Sequence, residues 1–98
     1  MRKSIHSDPQ RVFQKLLRQV RNEAGLTQKQ LAARLNTPHS RISDYERGGR
    51  RMDLVQLMVY CEALGIELRT FVDRFLRMCA EETAPQMEEP GSSGNKEA

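Results

Sequence analysis

Apolar residues recur at helical spacing through most of this sequence, and this periodicity limits the fold more than any other feature. No alternation of apolar and polar residues, the pattern typical of a β-strand, runs for more than a few positions. A chain of 98 residues forms one small domain at most. The sequence therefore predicts an all-α domain of short helices packed against one another.

Residues that start and stop helices divide the chain into five segments. In the first, Asp8 is expected to cap a helix with Pro9 in its first turn, and Gly25 to end it. The second opens with Thr27 and Gln30 at capping-box spacing. The apolar faces are formed by Val12, Phe13, Leu16, Leu17 and Val20 in the first helix and by Leu31, Ala32 and Leu35 in the second.

The third segment follows after a very short turn at Asn36 and Thr37. Pro38 is expected to start this helix, and Gly48 and Gly49 to end it. Its inward-facing residues are Ile42 and Tyr45.

The last two segments are more apolar. Asp53 with Gln56 is expected to cap the fourth helix, and Gly65 to end it. The fourth carries Leu54, Leu57, Met58, Cys61 and Leu64, and the fifth carries Leu68, Phe71, Val72, Phe75, Leu76 and Cys79. These segments predict a folded domain over residues 8–82, between a flexible N-terminus at 1–7 and a polar tail at 83–98 that is expected to be disordered.

Only about three residues separate the second and third helices, and helices joined so tightly cross steeply. This is the helix-turn-helix arrangement, in which the first helix of the pair lies across the phosphate backbone of DNA. The second helix of the pair, called the recognition helix, projects its N-terminal residues into the major groove, where all four base pairs can be distinguished.

Positive charge is concentrated in the first half of the chain. Met1 to Arg51 holds 12 Lys/Arg and 4 Asp/Glu, a net charge of +8, whereas Met52 to Ala98 holds 4 and 9, a net charge of −5. A basic half suits a polyanion such as nucleic acid, with a solvated charged surface as the alternative.

Several classes of protein are excluded by what the sequence lacks. It has no apolar run of the roughly 18 residues needed for a membrane span, and no signal-peptide core. Two cysteines are too few for a disulfide scaffold, which favours a cytoplasmic location. His6, His39, Cys61 and Cys79 lack metal-ligand spacing, and no catalytic Ser–His–acid set or phosphate loop is visible. We therefore expect no enzyme, metal or cofactor.

Four motifs in register resemble the Cro/phage-repressor (Xre-like) helix-turn-helix family. They are GLTQ at 25–28, LA at 31–32, the IS-x-x-E-x-G run at 42–48 and ALG at 63–65. The resemblance covers about residues 11–76 and implies a compact five-helix lambda-repressor-like DNA-binding domain. The sequence departs from the family where Asn36 replaces a usual Gly, where Pro38 replaces a Ser or Thr, and at Met52. Asn tolerates a left-handed turn, and the cap of the third helix is expected to pass to Thr37.

The resemblance implies that His39, Ser40 and Asp44 face the bases. His39 can donate to guanine N7 or O6, Ser40 can donate or accept, and Asp44 can accept from a cytosine amino group. Alternatively, His39 is a surface histidine beside phosphates, and Asp44 orients Arg41 or His39 or repels wrong sequences.

The remaining expected DNA contacts are to phosphates. The resemblance implies that Gln28 both touches a phosphate and braces the recognition helix. The full expected set is Gln28, Arg41, Ser43, Arg47, Arg50 and Arg51. Arg41 could instead reach a base. The loop that carries Arg47, Arg50 and Arg51 (the arginine loop) could send one side chain into the minor groove or simply be solvated.

The family resemblance also implies a structural ion pair between Arg21 and Glu46. Phe71, Phe75, Leu76 and Cys79 are expected to form a homodimer interface, unless they close the core under the first helix.

The sequence thus predicts a sequence-specific regulator of transcription, most simply a repressor that binds a palindromic operator in double-stranded DNA as a homodimer. No small-molecule effector is indicated. The alternatives are a restriction–modification controller or the antitoxin of a toxin–antitoxin pair.

Overall fold

The computed structural model describes residues 8–83, which form five α-helices. They are α1 (Pro9–Glu23), α2 (Gln28–Arg34), α3 (His39–Arg47), α4 (Leu54–Leu64) and α5 (Leu68–Thr83). No strand occurs in this part of the chain, so the predicted all-α, five-helix fold is confirmed. The predicted flexible N-terminus and almost all of the predicted disordered tail lie outside the described residues; Thr83 belongs to α5.

Side chains cap three of the helices as the sequence predicts. The Asp8 carboxylate accepts from the backbone N–H of Gln10 at 2.9 Å. Thr27 and Gln30 form a reciprocal capping box at the start of α2, and Asp53 and Gln56 form another at the start of α4. Each box satisfies backbone N–H groups that a helix terminus leaves free, which explains why short helices begin at these positions.

The start of α3 differs from the prediction, because the N-cap residue is Pro38 and not Thr37. Pro38 has extended backbone angles (φ −64°, ψ 147°), and its carbonyl accepts from the N–H of Arg41 at 3.0 Å. Proline has no side-chain oxygen, so α3 begins without a side-chain cap. Asn36 has a φ of 53°, the left-handed conformation expected where the resembling family has Gly.

One core cluster takes buried side chains from all five helices. The largest fully buried side chains are Tyr60, Phe71, Leu16, Leu17, Leu31, Ile42, Val12 and Cys61. The ring of Phe13 meets those of Phe71 and Phe75 edge-on, with centroids 5.9 and 6.2 Å apart. These aromatic contacts join α1 to α5 and close the domain.

The inward face of α4 also differs from the prediction. Leu57, Tyr60 and Cys61 are buried, whereas Leu54 and Met58 are 65% and 41% exposed. The periodicity misleads here because α4 is apolar almost all round, so several faces of similar hydrophobicity compete. Tyr60 lies in the interior because its hydroxyl donates a hydrogen bond there, to Oε2 of Glu46 at 3.4 Å.

One predicted interface residue proves to belong to the core. Phe71 is only 1% exposed, so it cannot anchor an interface between folded copies of the chain. Phe75 is half-buried against Phe13, and Cys79 is half-buried, whereas Leu76 is 59% exposed. The fifth helix therefore closes the core with its phenylalanines and leaves Leu76 at the surface. No helix within residues 8–83 is long and apolar enough to cross a membrane.

Candidate nucleic-acid interface

The helix-turn-helix unit is held in place by the predicted ion pair, which is present and buried. Nε and Nη2 of Arg21 lie 2.6 and 3.0 Å from the two carboxylate oxygens of Glu46. A third donor of the same guanidinium, Nη1, donates to the carbonyl of Leu26 at 2.8 Å. The Glu46 hydrogen bond raises the pKa of Arg21, and burial opposes it. One arginine on α1 thus fixes both the end of α3 and the loop before α2.

Tyr60 belongs to the same cluster, although its role was not predicted. Burial, followed by the charge of Glu46, raises the pKa of its hydroxyl well above the usual range for tyrosine. The aromatic ring also packs edge-on against Tyr45 of α3, with centroids 6.4 Å apart. A signal was available in the sequence, since Tyr60 lies three residues after Leu57 and therefore shares its helical face.

Gln28 connects this buried cluster to the surface. Its Nε2 donates to Oε1 of Glu46 at 2.9 Å, and its Oε1 lies 3.0 Å from Nε2 of His39. Gln28 therefore braces the first turn of α3, as the family resemblance implied. The contact to His39 was not predicted.

Ser40 and Asp44 lie on the side of α3 opposite its buried face, which Ile42, Tyr45 and Glu46 form. His39 precedes Glu46 by about two helical turns and so lies on the Glu46 flank of α3, beside Gln28. His39 and Ser40 are exposed in the first turn. Asp44 lies one turn further along, and Oδ1 accepts from Nη2 of Arg47 at 2.6 Å.

The expected phosphate-contacting residues differ in exposure. Arg47, Arg50 and Arg51 are exposed at the end of α3 and in the loop before α4. Ser43 is half-buried, and Arg41 is half-buried beside Thr37 and Val59, on the flank of α3 that faces α4.

Two further features of α1 were not predicted. Nη1 of Arg18 donates to the carbonyl of Glu46 at 3.3 Å, which adds a basic side chain beside the end of α3. Gln14 lies so close to Gly48 that a Cβ at that position would meet its amide. The Gln14 amide is the end of a flexible side chain and can move aside, but Gly48 has a φ of 86°, so the turn after α3 favours glycine at this position.

Other kinds of site find little support among residues 8–83. No group of three or more potential metal-ligating side chains comes together there. An open, largely apolar groove lies between α4 and α5, where Met58, Ile66, Leu68, Val72 and Leu76 line it. It holds no arrangement of catalytic groups.

Comparisons with known proteins agree with this geometry. Residues 17–71 match the family model described as "Helix-turn-helix". An XRE-family like protein from Pseudomonas syringae pv. tomato is 34% identical and has a TM-score of 0.67, with 71% of this chain and 85% of that chain covered. Two other solved structures are each 23% identical and show the fold alone. The wild-type restriction-modification controller protein C.Esp1396I has a TM-score of 0.70, with 76% and 97% covered. The clp gene regulator ClgR from C. glutamicum has a TM-score of 0.67, with 76% and 96% covered. No curated protein matches the chain.

Proposed function

The chain belongs to the Cro/C1-type, XRE-family group of helix-turn-helix DNA-binding transcriptional regulators, which are not enzymes, and from this premise we propose that it is a repressor that binds a palindromic operator as a homodimer. The observation that carries the proposal is the first turn of α3. His39 and Ser40 are exposed there while Gln28 holds the turn against a buried ion pair. A helix start that is both exposed and rigidly supported suits the reading of base edges.

In this proposal the side chains around α3 divide the work of binding. His39, Ser40 and Asp44 read bases, and Gln28, Arg41, Ser43, Arg47, Arg50 and Arg51 contact phosphates. Asp44 is held by Arg47 in the free protein, so this pair must open or turn together when Asp44 accepts from a cytosine amino group.

The homodimer is proposed to form through the groove between α4 and α5. Exposed Met58 and Leu76 lie on opposite sides of its apolar floor. Charges of both signs, including those of Arg69 and Asp73, border the groove. A second copy related by a two-fold axis meets the same patch, so apolar residues can meet apolar residues and Arg69 can meet an acidic residue. This surface replaces Phe71 and Phe75, which the core takes up.

A dimer accounts for specificity. One recognition helix reads only a few base pairs, whereas a genome offers about 10⁶–10⁹ competing sites. Two copies of the folded unit at residues 8–82, placed about 34 Å apart, would read successive major grooves on one side of the duplex. Repression then follows from occupying a promoter in the cytoplasm and excluding polymerase.

The deciding experiment is selection of bound sequences from a random pool of double-stranded DNA by the full chain. We expect an enriched sequence with two-fold symmetry, and reduced transcription from a promoter that carries it. Enrichment of an asymmetric sequence would contradict the homodimer, and increased transcription would contradict the repressor role. The absence of any enriched sequence would contradict sequence-specific reading itself.

A further inference from the structure

We infer that Gln28 fixes the hydrogen-bonding character of His39, so that the neutral histidine presents Nδ1 as an acceptor and selects a base with an exocyclic amino group. This inference rests on the proposed function, since it takes His39 to face a base edge. It reverses the donor role that the sequence suggests for His39. The argument follows a chain of hydrogen bonds outward from the core.

The chain begins at Glu46, whose carboxylate is 3% exposed and held by two bonds from Arg21. The guanidinium carries only donors and stays protonated, so the carboxylate opposite it is ionised and can only accept. Every group that approaches an oxygen of Glu46 within hydrogen-bond distance must therefore donate.

Gln28 is the group that approaches Oε1 of Glu46, at 2.9 Å. If its amide were turned over, its oxygen would face a carboxylate oxygen, which would place two acceptors in contact. The amide nitrogen must accordingly face Glu46, and the amide oxygen must face His39. This assignment follows from the carboxylate and needs no other information.

Nε2 of His39 lies 3.0 Å from that amide oxygen, which can only accept. Nε2 must therefore carry a proton. In a neutral imidazole the other nitrogen is then bare, so Nδ1 is an acceptor. The buried ion pair thus determines, through Gln28, which kind of partner His39 can take outside the protein.

In the major groove, the donors on base edges are the N6 amino group of adenine and the N4 amino group of cytosine. Guanine offers the acceptors N7 and O6, and thymine offers O4. Each Watson–Crick pair has one such amino group, on its adenine or its cytosine. A bare Nδ1 on His39 therefore favours the orientation of the pair that turns this base towards it, and disfavours guanine or thymine in that place. Gln28 is in this way a positioning residue for specificity, in addition to its expected phosphate contact.

The first test uses DNA selection in mildly alkaline buffer, at about pH 8.5. The base pair that loses its preference in His39→Ala identifies the His39 contact, and we expect wild-type binding to depend on the amino group of the adenine or cytosine in that pair. Replacing that base by an analogue without the amino group should weaken wild-type binding about tenfold or more, and should leave His39→Ala binding unchanged. Unchanged wild-type binding without the amino group, together with weakened binding when an acceptor of the guanine or thymine in the same pair is removed, would overturn the inference while leaving sequence-specific binding intact. If no sequence is enriched, the proposed function fails, and the base selectivity fails with it.

The second test reads the proton directly. The ¹⁵N shifts of the imidazole nitrogens at the same pH, assigned by their loss in His39→Ala, should show a protonated Nε2 and a bare Nδ1. In Gln28→Ala this preference should fall towards that of a free histidine side chain, because no acceptor then holds the Nε2 proton, and discrimination at the His39 position should fall with it. Gln19→Ala, a control on an exposed glutamine of α1, should change neither. A wild-type His39 protonated at Nδ1 would overturn the inference.

Discussion

At the scale of single residues, polar contacts that reach the core hold the DNA-binding unit together. Glu46 accepts hydrogen bonds from Arg21, Gln28 and Tyr60, which come from three other helices. A buried carboxylate is costly unless each of its oxygens is paired. Because three donors converge on it, the cluster is satisfied only in one arrangement of α1, α2, α3 and α4.

Loss of Arg21 should therefore lower the stability of the fold much more than loss of another arginine that forms an ion pair. Arg21→Ala leaves Glu46 charged and buried, and we expect the free energy of unfolding in urea to fall by about 3–5 kcal/mol. Arg74→Ala is the matched control, since Arg74 forms a similar two-pronged pair with Glu23 at the surface. There we expect about 0–1 kcal/mol. Equal losses in the two variants would show that the burial of Glu46 does not matter.

The thiol of Cys61 should make stability depend on pH under alkaline conditions. Burial raises the pKa of Cys61 to about 11 in the folded chain, whereas an exposed thiol titrates near about 8.5. Between these values the unfolded chain has lost a proton that the folded chain retains, so stability falls as pH rises. The limiting slope is about 1.4 kcal/mol per pH unit.

The measurement is urea unfolding between about pH 8 and 9, at least one unit below the pKa of about 10 at which tyrosine ordinarily titrates. Cys61→Ala should flatten the dependence, whatever it does to stability at neutral pH. A slope that is the same with and without the thiol would show that another group causes it.

At the scale of helices, the sequence predicted where the elements begin and end better than which faces they bury. Capping residues such as Asp8 and Asp53 act locally, so their effect is visible in the sequence. The buried face of α4 depends on distant partners, because Tyr60 is drawn inward by Glu46 on another helix. For the same reason the hydrogen bond between Gln28 and His39 could not be predicted, since it joins residues of two separate helices.

The same limit explains the correction on α5. The helix has more apolar residues than one buried face can hold, so its sequence does not show which of them enter the core. Phe71 and Phe75 face inward because both pack against Phe13 of α1. A charged residue at position 75 is consequently expected to unfold the domain and not merely to separate two copies of it.

The recognition helix and the loop after it should respond differently to mutation. His39→Ala and Ser40→Ala remove groups at the exposed start of α3, so each should change base preference at one or two positions, by about 1–3 kcal/mol. Arg50→Ala removes a charge in the loop and should weaken binding about equally for every sequence. Binding assays on a set of operator variants make the comparison. A specificity change in Arg50→Ala, with none in His39→Ala, would reverse the assignment.

At the scale of the whole molecule, charge and apolar surface are separated. The basic half of the sequence supplies α1, α2, α3 and the arginine loop, whereas the acidic half supplies α4 and α5 with their apolar groove. A dimer formed through the groove would bring together the less positive halves and keep the basic surfaces apart. Self-repulsion between the DNA-binding faces would then be small.

The salt dependence of DNA binding tests this arrangement, because it counts the phosphates that the assembly contacts. Each contact releases counterion, so log K falls with log salt by about 0.9 per contact. If Arg41, Arg47, Arg50 and Arg51 of both copies each neutralise one phosphate, the slope approaches about −7. A single copy can reach only about half of that value.

Leu76→Glu should therefore convert a dimer with a steep slope into a folded monomer with a slope about half as steep and weaker binding to the palindrome. Leu76 is 59% exposed, so the charge enters the groove without entering the core. Val55→Glu is the matched control, since Val55 is 65% exposed but lies on the other side of α4, outside the groove. Sedimentation at micromolar concentration should find the wild type and Val55→Glu dimeric and Leu76→Glu monomeric, and circular dichroism should find all three helical. A monomeric wild type, or a Leu76→Glu variant that remains dimeric, would show that the groove is not a dimer interface. The two-fold spacing of the recognition helices would then have to arise from another surface.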